Sequence, residues 1–306
     1  MAAYFLRRVL QIIPTIFGVS VLAFLFVHAI PGNPAIFLAG PNASTATIHA
    51  LTVQFGLDKP LAVQYWYFLI NAVHGDFGKS LGDGQPVLRI IGYHFMPTVE
   101  LAFFGLGLAV VIGILAGIAS AVRRNTSLDY TVMTLSMMGV SFPAFWLAMM
   151  LIALFAVHFH LLPSGGDQGW KSFILPVISL GTSGAASIAR FTRQSMVTTL
   201  TSDYVRTGRA KGLRESILIF KHAFKNALGP IITIIGIQFG FLLGGAVVVE
   251  VVYAWPGLGN LLITSVEMRN YPVIQTLLLL FALEFILASL LVDVAYALVN
   301  PRVRYD

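Results

Sequence analysis

The 306-residue sequence has no cysteine and few charges, with Asp, Glu, Lys and Arg together making up 10% of it. The first absence excludes disulfides, thiolate metal sites and cysteine nucleophiles. The second excludes an ordinary water-soluble domain, in which about 25% of residues are charged. No phosphate-cradling G-x-x-x-x-G-K-[ST] run occurs, so the chain cannot be an ATP-binding subunit of that type. A TVGYG filter, an internal repeat and the short alternating segments of a membrane barrel are also missing.

What is present is apolar. The hydrophobic fraction is 57% and the mean hydropathy +0.84, so lipid must be the solvent for much of the chain. A helix needs about 20 apolar residues to cross the hydrocarbon core. Six segments qualify: 9–30, 99–122, 130–157, 173–189, 228–252 and 272–299. Helix is the form expected, because a lone span must satisfy its own backbone hydrogen bonds. The first run follows Arg7 and Arg8 like a signal peptide. Its uncharged stretch from Val9 to Ile30 exceeds the roughly 7–15 residues of a signal core, so it is expected to be a retained span.

Basic residues set direction, being enriched in cytoplasmic loops. With the N-terminus inside, the inner segments hold Arg7, Arg8, Arg123, Arg124, eight residues between Arg190 and Lys225, Arg302 and Arg304, which is 14 of 19. Both termini are therefore expected in the cytoplasm, and the +6 formal charge reflects orientation rather than nucleic-acid binding. Two connecting segments are long. Residues 31–98 lie outside, with turn signals at Pro31-Gly32-Asn33-Pro34 and Gly82-Asp83-Gly84 and a short interfacial helix at 61–73 bearing Tyr65, Trp66 and Tyr67. Together with the first span they form a region at 1–98, followed by a five-span core at 99–306.

The second long segment, 190–227, is cytoplasmic. Asp203 is expected to cap a helix beginning at Tyr204, and Gly212 to end it. A second helix starts near Glu215, with Ile217, Phe220, Phe224 and Leu228 forming an apolar stripe and Lys221 and Lys225 on another face. Attraction to anionic lipid explains the stripe and the lysines. Docking of a cytoplasmic protein explains, in addition, a capped short helix, a glycine and a second helix in one ordered loop.

The stretch TSDYVRTGRAKGLRESILIFKHAFKNALGP resembles the "EAA loop" of ATP-binding-cassette importer permeases, in the peptide-importer form Y-x-R-T-A-R-A-K-G. Gly208 stands where that form has alanine. The resemblance extends along the chain: FLRRVLQIIPT at 5–15, HAIPGNPA at 28–35, HGDFGKSL at 74–81, SFPAF at 141–145, WPGLG at 255–259 and DVAYALVNPRVRY at 293–305. It implies an all-α, six-span permease fold in the plasma membrane. It further implies a coupling helix, here Asp203, Tyr204, Arg206, Thr207, Gly208, Arg209, Ala210, Lys211 and Gly212, that sits in a groove on a partner ATPase. Gly208, Ala210 and Gly212 are expected to permit close approach, and Arg206, Arg209 and Lys211 to supply charge-assisted hydrogen bonds. The implied partners are a second homologous permease, one or two cytoplasmic ATPases carrying ATP and Mg, and an extracytoplasmic solute-binding protein. The implied cargo is dipeptide, oligopeptide or glutathione, with nickel as the alternative within the family. No cofactor is expected on this chain.

Polar groups inside the spans are expensive and point to function by default. Gln238, Glu250 and Glu284 are the candidates for the translocation path. Glu100 lies at an outer end. Asp293 falls nine residues after Glu284, about half a turn out of phase. Two rivals from other classes fail on residues. Gly181-Thr182-Ser183-Gly184 resembles the serine motif of intramembrane rhomboid proteases, but the fifth and sixth spans offer no histidine base. His158 and His160, at i and i+2, do not face one another on a helix. A stand-alone channel or secondary transporter is the remaining alternative.

Overall fold

The computed structural model describes residues 2–29, 32, 34–40 and 43–299; the side chains of 2–11, 34, 37, 243, 245 and 292–299 are outside that description. Among the described residues, all regular structure is helical apart from one isolated antiparallel bridge, Lys79–Pro86. The order is α1 (Ala2–Ala29), α2 (Pro34–Ala39), α3 (Thr45–Gln54), α4 (Leu61–Val73), α5 (Val87–Val122), α6 (Ser127–Ser141), α7 (Ala144–Leu151, continued by an i→i+5 turn at Ile152–His158), α8 (Lys171–Leu200), α9 (Asp203–Ala210), α10 (Glu215–Ile217, continued by a second i→i+5 segment at Leu218–Phe224), α11 (Lys225–Val252), α12 (Leu258–Glu267) and α13 (Tyr271–Val299). The sequence-expected ending at 300–306, with Arg302 and Arg304, lies outside the described residues, as do Pro31 and Asn33 of the first turn signal.

Among the described residues, five helices are long and apolar enough to cross a membrane, and six if one bent pair is a single span. The bent pair is the expected third span, 130–157. Rather than one rod it is α6 and α7, meeting at 102°. The cause is local. Pro143 drives the preceding residue out of the helical region, and Phe142 is extended at φ −80°, ψ 126°. A hydropathy average runs straight through Ser141-Phe142-Pro143 because all three neighbourhoods are apolar. Two other spans are longer than expected. α5 begins at Val87, twelve residues before 99, and continues through Pro97. α8 runs to Leu200 and so absorbs the first part of the 190–227 segment. α12, in the stretch between the fifth and sixth spans, is ten residues of mixed polarity and too short for a span pattern to reveal.

The chain divides into two compact units, Met1–Thr98 with Pro256–Ile286, and Val99–Trp255 with Leu287–Tyr305. The second is built around α8, which packs on α6, α7 and α11. Its seam with α5 is paved with glycine. A Cβ placed on Gly113 would lie 2.7 Å from Ile188 Cβ, and one on Gly117 2.5 Å from Thr192 Cβ. From the other side, a Cβ on Gly181 would meet the Gly105 carbonyl oxygen at 2.8 Å. Small residues let helix backbones approach where lipid offers no hydrophobic drive to association. Gly181 and Gly184, which frame the serine of the protease-like motif, are thus buried packing positions.

In the first unit, two apolar clusters join helices remote in sequence. Val87 and Ile91 pack with Leu258, Val273 and Leu277, and Val27 packs with Tyr271 and Ile274. Asn270 locks the turn after α4. Its Oδ1 accepts from Leu81 N at 3.0 Å, and its Nδ2 donates to Ser80 Oγ at 2.8 Å.

Candidate functional site

The described α9 begins one residue earlier than expected, at Asp203, with Ser202 in the extended N-cap position. Asp203 is therefore the first helical residue rather than the cap. Its carboxylate still suits the positive end of the helix dipole. The C-terminal end follows the glycine expectation in full. Gly212 has φ +75°, its N–H donates to Arg209 O at 2.9 Å, and Leu213 N–H donates to Gly208 O at 3.2 Å. These paired bonds are a Schellman closure, which satisfies carbonyls that a short helix leaves open.

One face of α9 is anchored and the others are not. Val205 is completely buried and Gly208 is buried beside it. A Cβ on Gly208 would lie 2.6 Å from Leu218 Cδ2 and 3.5 Å from Leu213 Cδ1. Gly208 thus serves a close approach within the loop itself, and only Ala210 and Gly212 of the expected small-residue patch are at the surface. Burying the Val205 side chain is worth about 1.5 kcal/mol. Leu218, the residue that meets Gly208, is also buried, and the next turns carry Ala223 and Ala227 into a cluster with Met196, Ile118 and Ile231. Through α10 and its i→i+5 continuation, the short helix stands on the start of the long helix α11 with no break.

Asp203, Tyr204, Arg206, Thr207, Arg209 and Lys211 are exposed. Thr207 Oγ1 donates to Asp203 O at 2.9 Å. Arg209 is engaged: its Nε and Nη2 donate to the two Glu215 carboxylate oxygens at 2.6 and 3.2 Å. That hydrogen-bonded carboxylate raises the Arg209 guanidinium above its ordinary pKa. Arg209 closes the loop onto itself, while Arg206 and Lys211 project from the exposed face. A six-residue separation across a glycine turn carries no periodicity, so sequence gave no sign of the Arg209–Glu215 pair.

A second ion pair was also invisible in sequence. Arg193 on α8 donates through Nε and Nη2 to Asp129 on α6, at 2.6 and 2.7 Å. Asp129 is 2% exposed, and it also accepts from Ser120 Oγ and, at 2.9 Å, from Asn125 N–H. The α5–α6 turn, with Asn125 at φ +62°, is thereby fixed to the helix that leads into α9. Arg193 had counted only as one of many basic residues. An acid at the head of an apolar segment, in a region otherwise rich in Lys and Arg, was the available signal.

The three path candidates lie on two helices, Gln238 and Glu250 on α11 and Glu284 on α13. Gln238 is buried on α11, facing α8, with its Nε2 3.6 Å from where a Gly184 Cβ would stand. Glu250, near the end of α11, has no exposure at all; Trp255 N–H donates to its carbonyl oxygen at 2.8 Å, closing the end of the helix. Trp255 in turn packs edge-on against Phe173 at 4.5 Å. Glu284 lies half-buried on α13, in the other unit. Glu100 is exposed, and the Asp293 side chain is outside the description.

Residues 109–305 match the family described as binding-protein-dependent transport system inner membrane component, and residues 1–102 match its N-terminal companion. Over 305 residues, covering 100% of both chains, the sequence is 52% identical to the glutathione transport system permease protein GsiC of Escherichia coli strain K12 and to that of Shigella dysenteriae serotype 1 strain Sd197. Among solved structures, an inward-facing form of the MetNI methionine ABC transporter superposes with a TM-score of 0.61 at 21% identity, covering 70% of this chain and 97% of that one. An amino acid ABC transporter chain gives 0.52 at 18% identity, covering 68% and 94%. At such identities the structural matches establish the fold.

Proposed function

Because the chain belongs to the binding-protein-dependent transport inner-membrane family, the multi-pass permease components of ATP-binding-cassette importers, we propose that it carries small peptides, glutathione foremost, into the cytoplasm. The observation that carries the substrate is the full-length 52% identity to glutathione permeases. The complete assembly contains a second homologous permease, one or two cytoplasmic ATPases that bind ATP and Mg, and an extracytoplasmic binding protein.

In this assembly both termini and α9 face the cytoplasm, and the exposed face of α9 sits on an ATPase. Its anchoring supports this role. A knob that transmits force must be held to the helix it moves, and α9 is tied to α11 through Val205, Gly208 and Leu218. Arg206 and Lys211 offer charge to the partner, and the Arg209–Glu215 pair keeps the knob's shape. When the ATPases close, the knob moves with them and α11 follows.

The test is uptake of labelled glutathione and of dipeptides by the reconstituted complex. Wild-type complex takes up peptide only with hydrolysable ATP. Gly208→Leu places a side chain where Leu218 already stands and is expected to abolish uptake while leaving membrane insertion intact. Uptake by this chain without any ATPase contradicts the proposal, as does normal transport by the Gly208→Leu complex.

A further inference from the structure

The first unit contains an open cleft of about 530 Å³ between the ends of α1 and α3, α4, the turn at 78–81 and the start of α13. Its lining has a one-sided charge. Lys59 and Lys79 contribute to the wall and no Asp or Glu does. Of the acids near in sequence, Asp58, beside Lys59, is not among the residues of the wall, while Asp76 Oδ1 accepts from Gly78 N–H at 2.9 Å, and Asp83 Oδ1 from Gln85 N–H at 3.3 Å. Between the lysines the wall presents the amides of Gln54, Asn71 and Gln275, and the floor is aromatic, with Phe24 and Phe68.

Each lysine stands on a turn that is braced by a polar clamp. Under Lys59, Gln64 Nε2 donates to the Lys59 carbonyl at 2.7 Å. Gln64 Oε1 is 3.1 Å from His28 Nε2, and His28 Nδ1 is 2.8 Å from Phe24 O, which ties the turn to α1. The Lys59 ammonium itself is held 4.6 Å above the Tyr67 ring. Under Lys79, the Asn270 clamp on Ser80 and Leu81 fixes the turn, and Ser80 N–H donates to Gln85 O at 2.9 Å. Neither lysine head has a carboxylate partner among the described residues. Two fixed turns therefore carry two unneutralised ammonium groups into one concave wall that also offers amide donors and acceptors.

We propose that this cleft is a recognition site for small peptides through their carboxylate groups, on the extracytoplasmic side of the permease. Its volume lies within the 300–1,000 Å³ usual for small-molecule sites. Ammonium groups form charge-assisted hydrogen bonds with carboxylates, the amides suit a peptide backbone, and the aromatic floor takes an apolar side chain. Concavity favours a free peptide over the broad face of a protein. The site rests on the peptide-import reading and deepens it: selectivity for acidic peptides is built into the permease as well as into the binding protein.

The experiment measures equilibrium binding of reduced glutathione and of its diethyl ester to the full complex in lipid nanodiscs, without ATP and without the binding protein. Wild-type complex is expected to bind the acid at least tenfold more tightly than the ester, with affinity falling as salt is raised. The Lys59→Gln/Lys79→Gln double variant is expected to lose about tenfold or more in affinity for the acid, in line with the strength of hydrogen bonds to charged groups, and to bind acid and ester alike. Lys171→Gln, a charge removed elsewhere, is expected to leave binding unchanged. In uptake, the double variant raises KM and spares the rate at saturation. Equal binding of the acid by wild type and double variant overturns the site, even where wild-type uptake of glutathione is normal. Absence of peptide uptake by the wild-type complex, with acid-over-ester binding intact and lysine-dependent, overturns the transport reading and leaves the anion site standing.

Discussion

The α5–α8 seam and the α9 knob use glycine for opposite ends. In the seam, Gly113 and Gly117 bring two long helices so close that Ile188 and Thr192 leave no room for a methyl group. Both sides of that contact are buried and uncharged. In the knob, Gly208 admits Leu218, with Leu213 beside it, and the other faces of α9 are exposed. The seam is fixed along its length, whereas the knob is fixed at a single line of contact. A machine driven from outside needs both: a rigid body to be moved and a small handle attached firmly on one side only.

The comparison is broken most severely at the seam. Gly117→Leu inserts a side chain against Thr192 and the Ala189 carbonyl oxygen, which lies 2.7 Å from the position of its Cβ. Overpacking costs about 1–3 kcal/mol or more, and with backbone in the way we expect the upper end: a protein that fails to reach a folded state, measured as loss of monodisperse material in detergent. A smaller effect is expected where the seam's end is tied to its neighbour. Asp129→Asn removes the charge facing Arg193 and leaves a cation without its partner. Breaking a buried pair costs about 3–5 kcal/mol; with Arg193 26% exposed, about 2 kcal/mol is expected, seen as a lowered Tm with insertion intact. The smallest effect belongs to the knob. Gly212→Ala meets no neighbouring atom but must adopt φ +75°, at about 1 kcal/mol. Fold and Tm of the whole chain are expected to be unchanged, with looser coupling: more ATP hydrolysed per peptide transported.

Parts of this arrangement were legible in the sequence for physical reasons that can be named. Spans announce themselves because lipid tolerates so few charges. Gly212 announces a helix end because few other residues accept positive φ. The helix at 61–73 shows as an apolar run of Leu, Val and aromatic residues between Pro60 and Gly75. Other parts depend on partners distant in the chain. Nothing local says that Arg193 meets Asp129, 64 positions away, or that Gly208 points inward, since that is decided by where Leu218 stands. The 102° bend was written in Phe142-Pro143 and lost to averaging over apolar residues. Burial of a polar group such as Glu250 is a statement about depth and says little about which neighbours share it.

The account turns on α9 presenting its exposed face to the ATPase while its buried face holds to α11. The chain has no cysteine, so a single thiol introduced into it is the only one it carries. Arg206→Cys, labelled with a short thiol-reactive photo-cross-linker and assembled into the complex in membranes, is predicted to form an adduct with the ATPase on illumination. Left unlabelled, it is also predicted to be shielded from maleimide by that assembly. Labelling of this thiol by an impermeant maleimide from the extracytoplasmic side, or free labelling in the complete complex with no ATPase adduct, would contradict it.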